Sequence, residues 1–369
     1  MFENKNKIIL LIILIILTVS AVFLLKGKLD YKPQEKLENQ EISDKEIAER
    51  IGQMIMVGFR GTEISEKSDI VKVIKDVKIG GVILFDYDVP SKSFPRNILN
   101  PEQTKELVFD LQRYSLSPLF VAIDAEGKEV NRLKKEYGFS GDSSPEGISQ
   151  ELKDLGFNMN LAPVVDLNIN PNNPIIGNRS FSSDPQEVFS YAQTFIEAHN
   201  KKGIITVAKH FPGHGSSSND SHLGLVDITE TYREEEIIPY KLLLEKDLLN
   251  AVMTAHIFNR DIDKNYPATL SSLFLKDILR DQIGFEGVII SDDMQMKAIS
   301  DYYGFEDAII KAINAGCDLL LFSNNASEFD ERIAYKIKDI IFQAIKDGKI
   351  SKERIIESSN RIYSLKHLL

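Results

Sequence analysis

Short apolar runs alternate with longer amphipathic stretches over most of the chain. The helical patterns include residues 102–114, 185–202 and 272–283. The eight apolar runs are Met54–Phe59, Gly81–Phe85, Leu119–Asp124, Met159–Asp166, Ile204–His210, Ala251–Phe258, Val288–Asp293 and Cys317–Ser323. Runs of this length rich in Val, Ile and Leu are typical of parallel strands buried on both faces. The pattern predicts an α/β fold, a (β/α)8 TIM-type barrel that forms a single domain over residues 43–369. A doubly wound open sheet would share the same local pattern.

The N-terminal part of the chain has a different pattern. Residues 8–25 are apolar except for Thr18 and Ser20. At 1.5 Å per residue this run is about 27 Å long, which is enough to cross a bilayer. It predicts a transmembrane anchor between a short flank (1–7) and a polar tether (26–42), and the alternative is a cleaved signal peptide. We therefore expect a catalytic domain outside the cytoplasm, anchored to the membrane, or secreted if the segment is cleaved.

Charge and cysteine content narrow the class of protein. Lys and Arg number 44 and Asp and Glu number 55, which gives a net charge of −11. An acidic chain is poorly suited to nucleic acid, because binding to phosphates depends on basic side chains. Cys317 is the only cysteine, so neither an internal disulfide nor a zinc site with two cysteine ligands can form. We expect a monomer that acts on a small molecule without a cofactor.

Polar residues end several of the predicted strands. In a (β/α)8 barrel the carboxyl ends of the strands form the mouth in which catalytic sites lie. The residues concerned are Asp124, Asp166, Lys209, His210, His256, Asp292 and Asp293. Each position alone is weak evidence, because strands that enter solvent often end in polar residues. Carboxylates, an amine and imidazoles at the same depth together predict a catalytic site for a small molecule.

The segment KHFPGHGSSSNDSH, residues 209–222, carries half of the chain's six histidines. His210 and His214 have the i, i+4 spacing of helical metal ligands. Pro212 and Gly213 lie between them and interrupt a helix, so this spacing loses its geometric meaning. We therefore expect a catalytic loop without a metal.

Two further features, a residue pair and a single aspartate, indicate proton transfer and nucleophilic chemistry. Asp220 and His222 lie two residues apart, so in an extended stretch they face the same side. A carboxylate there fixes the imidazole tautomer and leaves the second ring nitrogen to transfer a proton. Asp292 ends an apolar run and is suited to act as a nucleophile or base. Its neighbour Asp293 is interpreted as structural, at the start of the next helix.

These motifs resemble those of the β-N-acetylhexosaminidases of glycoside hydrolase family 3. The resemblance rests on KHFPGHGSSSNDSH with Asp292 downstream, and on IDAEGKEVNRL, NLAPVVDLN, IIGNRSFSSDP, MTAHI, PATLS and AGCDLLL. It covers residues 45–366, which is the whole of the predicted barrel.

The resemblance implies a role for each matching residue. Asp292 would be the nucleophile that forms a covalent glycosyl-enzyme, and His222 the general acid/base, oriented by Asp220. The residues that would bind N-acetylglucosamine are Asp124, Arg132, Arg179, Lys209 and His210. The implied enzyme is a retaining exo-β-N-acetylglucosaminidase that removes N-acetylglucosamine from peptidoglycan fragments. The alternatives are a phosphorylase with the same residues and a catalytically weak, membrane-tethered sugar-binding barrel.

Three features of the chain differ from the family pattern or lie outside it. After Phe85 the segment DYDVPSKSFPRNILN is longer and more polar than the family pattern, which predicts an altered loop at the rim of the site. The chain has no Trp, so stacking on a sugar ring would use Phe, Tyr or Met. His199 and His367 lie on helical stretches and are expected at the surface.

Overall fold

The computed structural model describes residues 42–127, 129–326 and 328–369. Residues 44–369 form one compact unit. The predicted anchor (8–25), the flank (1–7) and all of the tether (26–42) except Ile42 lie outside the described residues. None of the helices described is long and apolar enough to cross a membrane.

Each of the eight predicted apolar runs contains a strand. The strands are β1 (Ile55–Gly58), β2 (Gly81–Ile83), β3 (Phe120–Ile123), β4 (Met159–Asn160), β5 (Ile205–Thr206), β6 (Ala208–Phe211), β7 (Val226–Asp227), β8 (Ala251–Thr254), β9 (Ile257–Phe258), β10 (Val288–Ile290) and β11 (Leu320–Phe322). Most are shorter than the runs, because the runs continue into the residues that line the mouth. The two-residue strands β7 and β9 pair only with each other.

The strand pairing closes into a ring. Pairs between the named strands are parallel, in the orders β11-β1-β2-β3-β4-β5 and β10-β8-β6. Single parallel bridges join the two sets, Val164 to Lys209 on one side and Ile290 to Leu319 on the other. Nine of the described strands belong to the ring, since β7 and β9 form a separate sheet. The consecutive strands β5 and β6 occupy one position, so the ring has eight strand positions. This parallel α/β arrangement is consistent with a TIM-type barrel, whereas an open sheet would keep two unpaired edges.

Helices follow the strands along the chain. They are α1 (Asp44–Gln53), α2 (Asp69–Asp76), α3 (Pro101–Tyr114), α4 (Pro145–Leu155), α5 (Pro185–Asn200), α6 (Ile238–Glu245), the π-helix Leu273–Gln282, α7 (Lys297–Ser300), α8 (Phe305–Ala315), α9 (Ile333–Lys346) and α10 (Lys352–Lys366). Three of them begin with a proline after a side chain that caps the helix, namely Asn100, Ser144 and Asp184. Proline suits this position because its missing N–H would have no partner within the helix.

His199 corrects one expectation from the sequence, because it is fully buried rather than at the surface. It lies on the inner face of α5 with Ala192 and Phe195. Its Nδ1 donates to the Phe195 carbonyl at 2.8 Å, and its Nε2 lies 3.1 Å from the Asn160 side-chain nitrogen. Burial lowers the pKa of His199 to about 4, so the ring is neutral at pH 7. His367, in contrast, is exposed as expected.

Candidate active site

A cavity of about 750 Å³ opens where the strands end, within the usual range of small-molecule sites. Seven of the eight candidate site residues line it: Asp124, Arg132, Arg179, Lys209, His210, His222 and Asp292. The eighth, Asp220, contacts His222 instead. Among the described residues, no cluster of three or more His, Cys, Asp or Glu side chains could hold a metal ion.

Lys209 is the centre of an ion cluster at the base of the cavity. Its side chain is 4% exposed, and its Nζ lies 2.9 Å from Asp124 Oδ1 and 2.7 Å from Glu126 Oε1. Arg179 donates two hydrogen bonds to Glu126, at 2.9 and 2.8 Å. Arg132 lies 3.4 Å from the second oxygen of Asp124. The cluster therefore pairs each of its carboxylates with two cations.

The charges in this cluster support one another. Burial disfavours the charged forms of Asp124 and Glu126, but the attraction of Lys209 is the main force that outweighs it and lowers the pKa of each. Burial likewise disfavours the Lys209 ammonium, and the attraction of these two carboxylates raises its pKa. All three groups are ionised at neutral pH. Cations that only donate and carboxylates that only accept are suited to the hydroxyl and amide groups of a sugar.

His210 is held between a carboxylate and a guanidinium. Its Nδ1 lies 2.7 Å from Asp166 Oδ2, and its Nε2 lies 3.4 Å from Arg179. A guanidinium can only donate, so Nε2 is the acceptor and Nδ1 carries the proton. Asp166 also accepts from the backbone N–H of His214 at 2.8 Å. Asp166 therefore orients His210 and fixes the start of the loop that follows β6.

That loop carries His222, whose side chain is 58% exposed. The His222 Nδ1 lies 2.8 Å from Asp220 Oδ1, and the same oxygen accepts from the His222 backbone N–H at 2.7 Å. The i, i+2 spacing thus brings the two side chains together and leaves Nε2 for the cavity. At the base of the loop, His214 contacts the hydroxyls of Ser217 and Ser221 at 2.8 and 3.1 Å.

The adjacent carboxylates Asp292 and Asp293 have different surroundings. Burial disfavours the charge of Asp292, but the attraction of nearby imidazoles, first of all His256, outweighs it and lowers the pKa. Asp293 is buried and accepts from the hydroxyl and the backbone N–H of Ser323. Burial raises the pKa of Asp293 to about 6. Environments that separate the pKa values of two acids assign them different roles. Both carboxylates line the cavity, and Asp292 is the one whose surroundings favour the charged form.

Glu236 lies beneath the loop and belongs to the 3-10 turn Glu234–Ile237. Its Oε2 accepts from the Gly215 backbone N–H at 3.0 Å. Gly213 has φ +134°, and a Cβ there would lie 2.5 Å from the Glu236 side chain, so only glycine fits. Burial raises the pKa of Glu236 to about 7.

Two residues of the site, Glu126 and Glu236, were not assigned a role from the sequence, whereas Asp166 was interpreted as a structural acceptor at the mouth. Glu126 follows Asp124 by two residues, which is the spacing that puts side chains on one side of an extended chain. Asp166 ends a predicted strand, and its position at the mouth was visible. Glu236 had no such signal, because it lies in a charged stretch that precedes a helix.

A closed parallel α/β fold, with a nucleophile-type carboxylate and a carboxylate–imidazole pair where its strands end, defines an enzyme acting on a small polar molecule. The family model described as the N-terminal domain of glycosyl hydrolase family 3 matches residues 46–365. The chain therefore belongs to glycosyl hydrolase family 3, as the sequence resemblance implied.

The curated relatives to which this chain is similar are named β-hexosaminidases. The chain is 30% identical to beta-hexosaminidase A of Pseudoalteromonas piscicida over 86% of this chain and 60% of that protein. It is 33% identical to a beta-hexosaminidase of Photobacterium profundum, over 73% of this chain and 82% of the relative. The chain thus spans less than two thirds of the first relative and most of the second.

Solved structures agree with the assignment. A glycoside hydrolase family 3 beta-N-acetylglucosaminidase from Paenibacillus sp. str. FPU-7 superposes with a TM-score of 0.77 at 32% identity, covering 87% of this chain and 62% of that one. Beta-N-acetylhexosaminidase from Beutenbergia cavernae DSM 12333 gives a TM-score of 0.76 at 26% identity, covering 87% of this chain and 98% of that one.

Proposed function

We propose that this protein is a retaining exo-β-N-acetylglucosaminidase. The observation that carries the proposal is a single cavity lined by the ionised Asp292 and by His222, whose Nδ1 is held by Asp220. A retaining glycosidase needs a nucleophile and a proton donor on a bound sugar. The names of the curated relatives supply the amino-sugar specificity.

In the first step Asp292 attacks the anomeric carbon while the bond from that carbon to the leaving oxygen breaks. His222, as imidazolium, donates its Nε2 proton to the leaving oxygen, and Asp220 keeps Nδ1 bound throughout. The product is a covalent glycosyl–aspartate ester.

In the second step the neutral His222 removes a proton from water through Nε2. The resulting hydroxide attacks the anomeric carbon, and Asp292 leaves as a carboxylate. An imidazole suits this step because its basic form is available near neutral pH. Replacing the usual second carboxylic acid by an imidazole also removes one negative charge, which would let phosphate act as the acceptor in place of water.

The ion cluster forms the pocket for the transferred sugar. Asp124 has two oxygens for hydroxyl protons, and Arg132, Arg179 and Lys209 supply donors for hydroxyl and amide oxygens. His210 completes the set, with its orientation fixed by Asp166. The binding energy of this sugar is what fixes the anomeric carbon against Asp292.

The natural substrates we propose are fragments of peptidoglycan that carry a terminal β-linked N-acetylglucosamine. This part of the proposal rests on the apolar segment 8–25, which predicts that the catalytic domain is anchored at a membrane and faces the cell wall.

The test is turnover followed by trapping of the intermediate. The protein should release p-nitrophenol and free N-acetylglucosamine from p-nitrophenyl β-N-acetylglucosaminide in buffer with or without phosphate. A sugar phosphate formed only with phosphate would favour the phosphorylase, and binding without turnover would favour a sugar-binding protein.

The second experiment traps the intermediate. A slow fluorinated N-acetylglucosamine analogue should label Asp292 in the unaltered protein, and the Asp292→Asn variant should not be labelled. The matched control Asp301→Asn, which changes another carboxylate of the cavity, should still be labelled at Asp292; a label elsewhere would refute the mechanism.

A further inference from the structure

The cavity has a second side that the proposed mechanism does not use. It is formed by the segment that follows β2, residues 86–97, which we name the rim segment. Tyr87 and Val89 of the rim segment line the cavity and are 41% and 49% exposed. The sequence analysis expects this stretch to alter the loop at the rim of the site. In the structure it forms one wall of the cavity.

The rim segment is held rigidly from below. Asp88 is buried, binds Arg60 at 2.7 and 2.9 Å, and binds Arg96 at 2.6 Å. Its backbone pairs with Ser93 in both directions, at 2.8 and 3.1 Å. Charged hydrogen bonds of this length restrict the backbone more than neutral ones do. The buried polar side chains of the rim segment thus serve to fix its conformation.

Asn325, which follows β11, attaches the rim segment at the two residues that face the cavity. Its side-chain oxygen accepts from the Val89 backbone N–H at 2.9 Å, and its side-chain nitrogen donates to the Tyr87 carbonyl at 3.1 Å. Two exposed apolar side chains are therefore presented from a fixed backbone. A preorganised apolar surface loses little conformational entropy when a ligand packs on it.

The ion cluster and the rim segment lie at different places around the ring of strands. Asp124 follows β3, Arg179 follows β4 and Lys209 lies in β6, whereas the rim segment follows β2 and Asn325 follows β11. Arg132 joins the two parts, because it lies 3.4 Å from Asp124 and 3.8 Å from Asp86 of the rim segment. A sugar ring has an apolar face of C–H groups, and in a chain without Trp a tyrosine is suited to cover it.

We infer that Tyr87 and Val89 form the contact surface for the second sugar ring, the one that leaves, while the ion cluster holds the transferred N-acetylglucosamine. This inference rests on the proposed function and adds the residues that contact the leaving sugar. Because of this contact, a β-linked disaccharide should be a better substrate than a glycoside with a small leaving group.

The test compares two substrates that differ in the second ring. They are N,N′-diacetylchitobiose and methyl β-N-acetylglucosaminide, and in both the enzyme transfers one N-acetylglucosamine away from an alkyl-type leaving oxygen. The leaving group is a second N-acetylglucosamine in the disaccharide and methanol in the methyl glycoside. Tyr87→Ala should lower the ratio of their kcat/KM values, disaccharide over methyl glycoside, about tenfold. Val89→Ser should lower it in the same direction, and Tyr87→Phe, which keeps the ring, should hold it within about twofold. The exposed Phe109 on α3 provides a control, since Phe109→Ala should leave both rates unchanged.

Each other outcome has a defined meaning. If Tyr87→Ala lowers both kcat/KM values equally, Tyr87 contacts the transferred sugar and the inference is wrong. If neither value changes, the rim segment does not touch substrate and the inference is wrong. If the unaltered protein turns over neither substrate, the proposed function fails first and the inference fails with it. Folding is not the limiting factor, because Asn325 binds the backbone of Tyr87 and not its side chain.

Discussion

Removing the ammonium of Lys209 is expected to destabilise the fold by an amount that depends on pH. Lys209→Met keeps an unbranched apolar side chain but removes the cation that lies 2.9 Å from Asp124 and 2.7 Å from Glu126. Breaking a buried ion pair from one side costs about 3–5 kcal/mol. Glu126 keeps its two hydrogen bonds from Arg179, so we expect the lower end of that range, about 3 kcal/mol at pH 7.

The pH dependence follows from the direction of the pKa shifts. In the unaltered protein the pKa values of Asp124 and Glu126 are lowered from 3.8 and 4.5, so these groups stabilise the fold above those values. That stability is lost as the pH falls. In Lys209→Met the buried Asp124 and Glu126 lose the attraction of the ammonium, so the pKa values of both carboxyl groups rise. The variant therefore already lacks this part of the stability at pH 7. The difference in unfolding free energy between the two proteins should therefore be largest near pH 7 and shrink below about pH 4.5.

Urea denaturation at pH 7 and pH 4 measures this difference. The matched control is Lys72→Met, which breaks an exposed ion pair with Asp69 at 2.8 Å and should cost much less than Lys209→Met at either pH, because exposed ion pairs contribute little. A loss for Lys209→Met as small as that of the control would show that the cluster is not a buried network. A large loss that is the same at both pH values would show that packing, and not charge pairing, is responsible.

Three further predictions concern the loop and the rim. His222→Ala should reduce kcat/KM for N,N′-diacetylchitobiose about 10²–10⁴-fold. It should change kcat/KM for a dinitrophenyl glycoside little, because kcat/KM reports the first step and that leaving group needs no proton. Equal losses of kcat/KM would contradict His222 as the acid. The pKa of Glu236 is raised from 4.5 to about 7, so the wild-type fold loses stability as the pH rises through this window. Glu236→Gln removes this loss, so the thermal midpoint of the variant minus that of the wild type should be more positive at pH 8 than at pH 5. The same difference at both pH values would contradict this. Arg96→Met should destabilise the protein by about 3 kcal/mol and open the rim segment to limited proteolysis, because the Arg96 side chain is fully buried against Asp88. Unchanged cleavage would show that the remaining contacts, including those of Arg60 and Asn325, are enough to hold the segment.

Much of the candidate site could be predicted because local spacing carries it. Parallel strands align their carboxyl ends, so polar residues at the ends of apolar runs had to meet at one mouth. The dyad of Asp220 and His222 follows from a separation of two residues. The burial of His199 was also readable in principle, since it continues the spacing of Ala192 and Phe195 along one helix face. The position of His199 on this face therefore indicates burial, although histidine is a polar residue.

The amino-acid sequence alone determined the strand–helix alternation, the family and the set of chemical groups at the mouth, because periodicity and short motifs act over a few residues. Only the tertiary structure decided which charge pairs with which. Arg179 meets Glu126 across 53 residues, and His210 meets Asp166 across 44. Such pairs depend on where the closed ring of strands places each side chain, and so does the rim segment, whose apolar side chains face the cavity because Asn325 from the last strand position holds its backbone.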